Sequence, residues 1–418
     1  MADVRPLSAL RYDPEKVALQ DVTAPPYDVI DTAQREQLLR RSPYNVVEID
    51  LPQAEDGADP YAHAARQIGR WREEGVLVAD DEPALWALTQ RYTSPDGAEH
   101  ERHGILVRVR VEEYGAGRVR PHERTQPGPK QDRLDLTRAT RHNLSPIFSL
   151  SSRDAWPLVA SATEAEPFGE VTDDDGTVHR LWRVRDPEVH AAVAQELEQA
   201  ELLIADGHHR YETARAYLEE TGDGDGPAAF TLMALTGLDD PGLTVFPTHR
   251  LLSGFADDPD RQLRLREGLL ELFEVEEAPD GELDPSGADG LGVFGYMDAH
   301  HRKPFRLRLK DTAELDRLLG DRSDAYRRLD AAVLEALVLK GILGMTEDDI
   351  AAKRGIGYAK SIADVEAALG DSHDVAFVLR PTPVDQVREV ASAGETMPPK
   401  STYFFPKLLS GLVFNPLS

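Results

Sequence analysis

The stretch ELLIADGHHRYETARAYLEE, Glu201 to Glu220, permits little besides a buried strand that turns abruptly into a helix. Leu202, Leu203, Ile204 and Ala205 are apolar without a break, as a strand buried on both faces requires. Gly207 allows a sharp turn that a side chain would obstruct. From His208 onward, Tyr211, Ala214 and Leu218 recur at helical spacing, and the pattern stops before Gly222. The joint therefore crowds Asp206, His208, His209 and Arg210 into the end of a strand and the first turn of a helix. Backbone N–H groups without intrahelical partners and the positive end of the macrodipole favour an anion there. Arg210 adds a forked donor that matches phosphate.

Three readings of this joint stay open on the residues alone. One is a helix start capped by Asp206 with surface histidines. The second is a metal site using His208 or His209 with Glu212, although adjacent histidines point about 100° apart on a regular helix. The third is a phosphate cradle in which Asp206 holds Mg²⁺ or orients a nucleophile, and this one leads. The chain's other His-His pair, His300-His301, has no strand–Gly–helix context and reads as a solvated turn.

The remaining pattern interleaves both periodicities, which predicts an α/β class of mixed α+β type. Asp31 is placed to cap a helix through Arg40, with Gln34 at the capping-box position. Ile105, Val107, Val109 and Val111 alternate as a half-buried strand, and Asp186-Pro187 opens a helix carrying Val189, Val193 and Leu197. Ala228 to Leu235 reads as a buried strand, and VFGYMD with FRLRLK as a hairpin. The acidic Pro/Gly run from Glu276 to Gly292 is the best boundary candidate. The division expected is residues 1–150, 151–275 with the Asp206 joint, and 276–418.

The formal net charge of −28 makes a nucleic-acid partner unexpected, because such a field repels it at long range. The acidity suits a salty cytoplasm, where screening weakens self-repulsion. With no cysteine, disulfides, thiolate metal sites and cysteine nucleophiles are excluded. No apolar run is long enough to span a bilayer and no signal-peptide pattern opens the chain, so a cytoplasmic protein without membrane partners is expected. A homodimer is left open.

Charge gathers elsewhere in Pro- and Gly-rich settings. RPHERTQPGPKQDRLDL, Arg120 to Leu136, packs Glu123, Arg124, Lys130 and Arg133 among three prolines and reads as an ordered loop. Glu123 is the candidate general base, a carboxylate among cations being tunable for proton transfer. VFPTHRLL ends a strand with His249 and Arg250. MPPKSTYFFPKLLSGLVF carries Lys400 and Lys407, two close lysines in a chain that otherwise uses arginine, which points to point charges at a phosphate.

Together, TAPPYDVI, NVVEIDLP, HERTQPGPKQDRLDL, LSPIFSL, IADGHHRYETA, GLTVFPTHRLL and MPPKSTYFFPKLLSGL resemble, in order, the family of domain of unknown function 1015. The likeness runs from Pro25 to Leu412. The Asp-Gly-His-His-Arg block also resembles the helix-start motif of the ParB/sulfiredoxin superfamily. In that superfamily the segment lies at a nucleotide phosphate, and some members phosphorylate free serine with a Glu base. The resemblance implies a ParB/sulfiredoxin-like nucleotide-binding core with additional α/β domains, and Asp206, Gly207, His208, His209 and Arg210 at the phosphates. It leaves the base between Glu123 and Glu48.

The expectation is an ATP- or ADP-dependent kinase of a small hydroxyl substrate, with free L-serine as acceptor. Asp206 would hold Mg²⁺, His208 and Arg210 would line the phosphates and Glu123 would accept the proton. A basic pocket is sought at Arg124, Lys130, Arg133, His249, Arg250, Lys400 and Lys407, since phosphoryl transfer needs positioning and charge neutralisation. The alternative is a ParB-like nucleotide-binding regulator or nucleotide hydrolase without a small-molecule acceptor.

Overall fold

The computed structural model describes residues 2–53, 57–94, 97–114, 118–123, 125, 127–222 and 224–418. The chain divides into two compact units. The first comprises Met1–Pro121, Thr125–Leu243 and Pro406–Ser418, and the second His122–Arg124 and Thr244–Phe405. Residues 150 and 275, the breaks expected from the sequence, lie inside the strands Ile147–Ser151 and Phe273–Glu277. The acidic Pro/Gly run falls wholly within the second unit. Helices and mixed sheets alternate as expected, and the class is mixed α+β.

The first unit is built on a nine-stranded sheet among the described residues. Its strands are β1 (Val4–Arg5), β2 (Leu85–Thr93), β3 (Glu99–Arg110), β4 (Val119–Arg120), β5 (Ile147–Ser151), β6 (Gly169–Thr172), β7 (Val178–Val184), β8 (Leu202–Asp206) and β9 (Phe230–Gly237). The spatial order is β4-β8-β5-β9-β3-β2-β7-β6, with β1 pairing onto β3. β8 runs parallel to β4 and antiparallel to β5, while β9 runs parallel to β5. The strand read as half-buried, β3, has Leu106 as well as Ile105, Val107 and Val109 buried. It lies between β2 and β9, where both faces are covered.

Helices α1 (Thr32–Arg41), α2 (Val47–Asp50), α3 (Pro60–Glu73), α4 (Pro127–Thr140), α5 (Pro187–Leu197) and α6 (His208–Thr221) belong to this unit. Asp31 caps α1 by accepting from the Gln34 N–H at 2.8 Å, as the capping-box spacing predicts. From Pro127 onward the segment expected to be an ordered loop forms α4 instead. Pro127 and Pro129 stand in its first turn, where a missing N–H costs nothing because it would have no intrahelical partner. Tyr211 of α6 is fully buried in the sheet's core with Ile204, Leu202 and Met233. Its hydroxyl donates to the Glu112 carbonyl at 3.0 Å and accepts from the Glu112 N–H at 2.9 Å.

The second unit has a six-stranded antiparallel sheet in the order Phe273–Glu277, Phe305–Leu309, Val293–Asp298, Val375–Val378, His249–Leu252 and Ile356–Ala359. The expected hairpin is present, with Tyr296 opposite Phe305. His300 and His301 are exposed in its turn. Among the described residues no helix is long and apolar enough to cross a membrane.

Candidate functional site

In the first unit the Asp206 joint forms as the pattern predicts. Strand β8 buries Leu202 to Ala205 and ends on the half-buried Asp206. Gly207 follows in the left-handed region, with φ 95° and ψ 29°, and serves as the N-cap of α6 without a side-chain cap bond. The reading of Asp206 as the cap is thereby corrected. The positive φ favours glycine here, and a Cβ on Gly207 would lie 2.9 Å from Arg210 Nε and push that side chain aside. His208 is buried and His209 half-buried.

Cations converge on Asp206. Arg210 Nη2 lies 3.4 Å and Lys407 Nζ 3.6 Å from its Oδ2. Both distances exceed the 2.7–2.9 Å of a tight charge-assisted hydrogen bond. The other arm of Arg210 donates to the Pro146 carbonyl, and its Nε is buried without a hydrogen-bond partner. A third cation, the fully buried Arg102, lies over the Phe148 ring at 4.3 Å, and Phe148 is the partner of Asp206 in the β5–β8 register. Burial pulls the Arg102 guanidinium down to about 10, while the charges of Tyr92, Asp240 and Asp206 hold it up. It stays protonated at neutral pH.

Behind Arg210 lies a cavity of about 40 Å³, lined in part by Asp50, Arg133, Thr137, Ser145, Arg210 and Thr213. Arg133 was expected at a phosphate, but it is buried and committed within the protein. Its Nη1 donates to the Asp50 carbonyl at 2.6 Å and to Asp50 Oδ1 at 3.1 Å, and its Nε donates to Asp132 Oδ2 at 2.8 Å. Its guanidinium covers the Tyr27 ring at 4.1 Å. Burial pushes the Tyr27 phenol up to about 12, with Arg210 and Arg133 pulling the other way. Asp50 also accepts from Ser410 Oγ at 2.9 Å, and Ser410 bridges to Ala24. The segments TAPPYDVI, NVVEIDLP, PKQDRL, LSPIF, DGHHR and PKLLSGL are thus brought together in one unit.

Lys130 lies 3.5 Å from Glu212 Oε2, and Glu212 also holds Arg215 at 3.2 Å. That removes Glu212 from the metal reading, since its oxygens face cations. Among the described residues no three His, Asp or Glu side chains cluster as a metal cage. Glu48 is bound on both oxygens, with His63 Nε2 at 2.7 Å and Arg35 Nη2 at 3.1 Å.

Among the described residues, four of those expected at the site belong to the second unit: Glu123, His249, Arg250 and Lys400. Glu123 forms a parallel bridge with Met397, and the His122 carbonyl accepts from the Met397 N–H at 2.7 Å. Arg250 is buried, and its donors go to main-chain carbonyls: Thr248 at 2.6 Å, Lys400 at 3.0 Å and Pro399 at 3.1 Å. It is a clamp on the 399–400 turn rather than a displayed phosphate donor. Burial lowers its pKa, opposed by the charges of Tyr358, Glu335 and Glu123. His249 is buried, and burial pushes its imidazole down to about 4, so at neutral pH it carries no charge for a phosphate. Lys400 is exposed, with φ 57° in the left-handed region. Arg124 lies outside the described residues.

Sequence reasoning passed over Arg102 and Gln90. Arg102 lies among Glu99, His100, Glu101 and His103, so nothing in the sequence marks it as the buried cation of that strand. Tyr27 and Asp50 were within quoted segments, but nothing in one dimension shows that both meet Arg133.

Several solved structures are similar to this chain at low identity. A point mutant of a free serine kinase in complex with ADP is 14% identical with a TM-score of 0.38, over 72% of this chain and 87% of that one. A conserved hypothetical protein from Pyrococcus furiosus is 15% identical with a TM-score of 0.38, over 75% and 95%. SbnI with a C-terminal truncation, from Staphylococcus aureus, is 13% identical with a TM-score of 0.38, over 75% and 87%. No curated protein matches the chain. The profile of one family, described as protein of unknown function (DUF1015), matches residues 4–332, and the chain belongs to that family.

Proposed function

We propose that the protein is a nucleotide-dependent phosphotransferase, using ATP or ADP, whose acceptor is a small alcohol of the free L-serine type. The observation that carries this reading is the Asp206 joint. In a chain of net charge −28, Lys407 and Arg210 converge on one carboxylate at a helix N-terminus, with buried Arg102 beneath. Their separations from Asp206 exceed those of a tight charge-assisted bond, so a phosphate oxygen can compete with the carboxylate for them. The first-turn amides of α6 supply further donors.

Asp206 fits a magnesium ion that arrives with a nucleotide, because Mg²⁺ takes one or two carboxylates plus phosphate oxygens rather than a closed protein cage. That ion supplies neutralisation of phosphate charge. The protein's own contribution is to orient: Gly207 sets the turn, α6 aims its amides, and Lys407 and Arg210 screen the charge that develops on transfer. Glu123 is the proposed acceptor of the hydroxyl proton, with Glu48 the other carboxylate. Both Glu48 oxygens are engaged, one by His63 Nε2 and the other by Arg35 Nη2.

That same pairing favours a second reading, a nucleotide-binding regulator or hydrolase without a small acceptor. Phosphorus NMR of the protein with Mg²⁺ and ATP or ADP, with and without L-serine, decides between them. A serine-dependent phosphomonoester signal supports the kinase, and nucleotide loss without acceptor supports the hydrolase. Glu123→Gln is expected to abolish transfer while nucleotide binding survives. Activity that persists in Glu123→Gln and disappears in Glu48→Gln would move the base to Glu48.

A further inference from the structure

We propose that Arg102, Gln90, His179 and Asp173 form a positioning relay that pins the Lys407 main chain and so aims its ammonium at Asp206; this rests on reading the Asp206 joint as a phosphate site. The relay lies in the first unit and starts in the turn between β6 and β7. Asp173 Oδ1 accepts from the Asp175 N–H at 3.0 Å and the Thr177 N–H at 2.9 Å, which fixes its carboxylate. Its Oδ2 lies 2.9 Å from His179 Nε2, and His179 is buried on β7.

The direction of every hydrogen in the relay follows. Burial lowers the His179 pKa, with Asp173 opposing, and the imidazole is neutral at pH 7. Facing a carboxylate, Nε2 carries the proton, which leaves Nδ1 to accept. Gln90 must then present its amide nitrogen, and it does: Nε2 lies 3.1 Å from His179 Nδ1 and donates to the Lys407 carbonyl at 3.1 Å. Its oxygen is thereby turned to Arg102, whose Nε donates to Oε1 at 3.0 Å. Arg102 Nη2 closes the set by donating to the Pro406 carbonyl at 2.6 Å.

Two consecutive carbonyls, Pro406 and Lys407, are held by side chains whose orientation is decided at Asp173. Gln90 cannot turn its amide over without setting N–H against N–H at Arg102 and losing its bond to Lys407. A lysine side chain with four rotatable bonds reaches one partner reproducibly only if its main chain is fixed. None of the four needs to touch substrate, so they are positioning residues.

Competitive amine labelling of the full chain, quantified peptide by peptide, tests the relay, with Lys400 of the second unit as the internal reference. Lys407 in the unaltered protein is expected to label slowly, and Asp206→Asn to accelerate it. Gln90→Leu should raise the Lys407 rate at least about fivefold relative to Lys400, the population change that one lost hydrogen bond of ordinary strength produces. Asp173→Asn should also accelerate Lys407, because the single amide oxygen is held by the Asp175 and Thr177 N–H groups and the NH2 is left facing His179 Nε2, which forces the other tautomer. His179→Leu is the second variant should Gln90→Leu not fold, and it should also accelerate Lys407. Lys407 labelling that responds to Asp206→Asn but not to Gln90→Leu or His179→Leu overturns the relay. Labelling that follows the relay while no variant or parent binds ATP or ADP leaves the positioning intact and sinks the phosphate reading instead.

Discussion

Each unit has a buried arginine that holds main-chain carbonyls beside a lysine. In the first unit Arg102, with Gln90, holds the carbonyls of Pro406 and Lys407. In the second, Arg250 holds those of Pro399 and Lys400. Both guanidiniums lie over aromatic rings, Phe148 at 4.3 Å and Tyr358 at 4.9 Å. The lysines nevertheless differ. Lys407 is mostly covered and meets Asp206, whereas Lys400 is exposed on a left-handed residue. A buried cation is tolerated where carbonyl dipoles and a ring face replace its water, and the carbonyls it selects decide which part of the chain is rigid. The lysines seven positions apart that looked equivalent in the sequence are thus presented by different devices.

The strongest way to break this comparison is to remove the arginines. Arg102→Ala removes the donor to the Pro406 carbonyl and Gln90 Oε1, and Arg250→Ala the donor to the carbonyls of Thr248, Pro399 and Lys400; each is expected to cost about 3–5 kcal/mol. Hydrogen exchange followed separately in the two units, alongside denaturant unfolding, reads the effect. Arg102→Ala should lower protection around 147–151 and 406–416, and Arg250→Ala around 249–252 and 375–378. A loss below about 1 kcal/mol in either would show that the carbonyls find water and that the clamp is dispensable.

Acid sharpens the contrast next. His249 in the second unit is held neutral by burial, its pKa lowered from 6.5 to about 4. The unfolded chain therefore takes up this proton first as pH falls, and stability declines from about pH 6.5 down to about pH 4, by about 3 kcal/mol in all. His249→Gln, whose oxygen can still accept from the Leu379 N–H, should flatten this limb. In the first unit His179 and His142 shift the same way by burial, while His103 shifts upward through its bond to Asp240. The His103 contribution is present below its unfolded pKa and lost as pH rises through the folded one. Melting curves across this range should therefore show an acid loss in the second unit, with the His249→Gln comparison deciding whether that histidine is the cause.

Much of the fold was legible because it is local. The cap at Asp31, the strand–Gly–helix joint at Gly207 and the hairpin at 293–309 each depend on residues within a few positions. The charged segment after Arg120 misled because prolines were read as loop-formers when the first turn of a helix accepts them equally. At the joint Lys407 lies 3.6 Å from Asp206, while Arg133, His249 and Arg250 are buried. Sequence marks a residue as cationic or titratable but does not show what surrounds it. Burial decided all three: it surrounded Arg133 with carboxylates, gave Arg250 carbonyls and stripped His249 of its charge.

A smaller effect distinguishes the lysines functionally. Lys407→Met should weaken ATP or ADP binding about tenfold, the worth of one charge-assisted contact, and should reduce the salt dependence of binding. Lys400→Met should change affinity less if the Asp206 joint holds the phosphates. Titration calorimetry at low and high salt measures both, and a larger loss in Lys400→Met would reverse the assignment.

The smallest expected effect is a gain. Lys400 adopts φ 57°, a region in which a non-glycine residue is strained by about 1–2 kcal/mol. Lys400→Gly relieves that strain but loosens the unfolded chain, so stability should rise by no more than about 1 kcal/mol. The Arg250 clamp bonds to main-chain oxygens on this turn and survives the substitution. A modest rise in melting temperature together with slower phosphoryl transfer would mean that the amine is kept on a strained turn for its charge. A rise with transfer unchanged would make the residue a turn former alone, and the second unit's buried arginine a purely structural counterpart of Arg102.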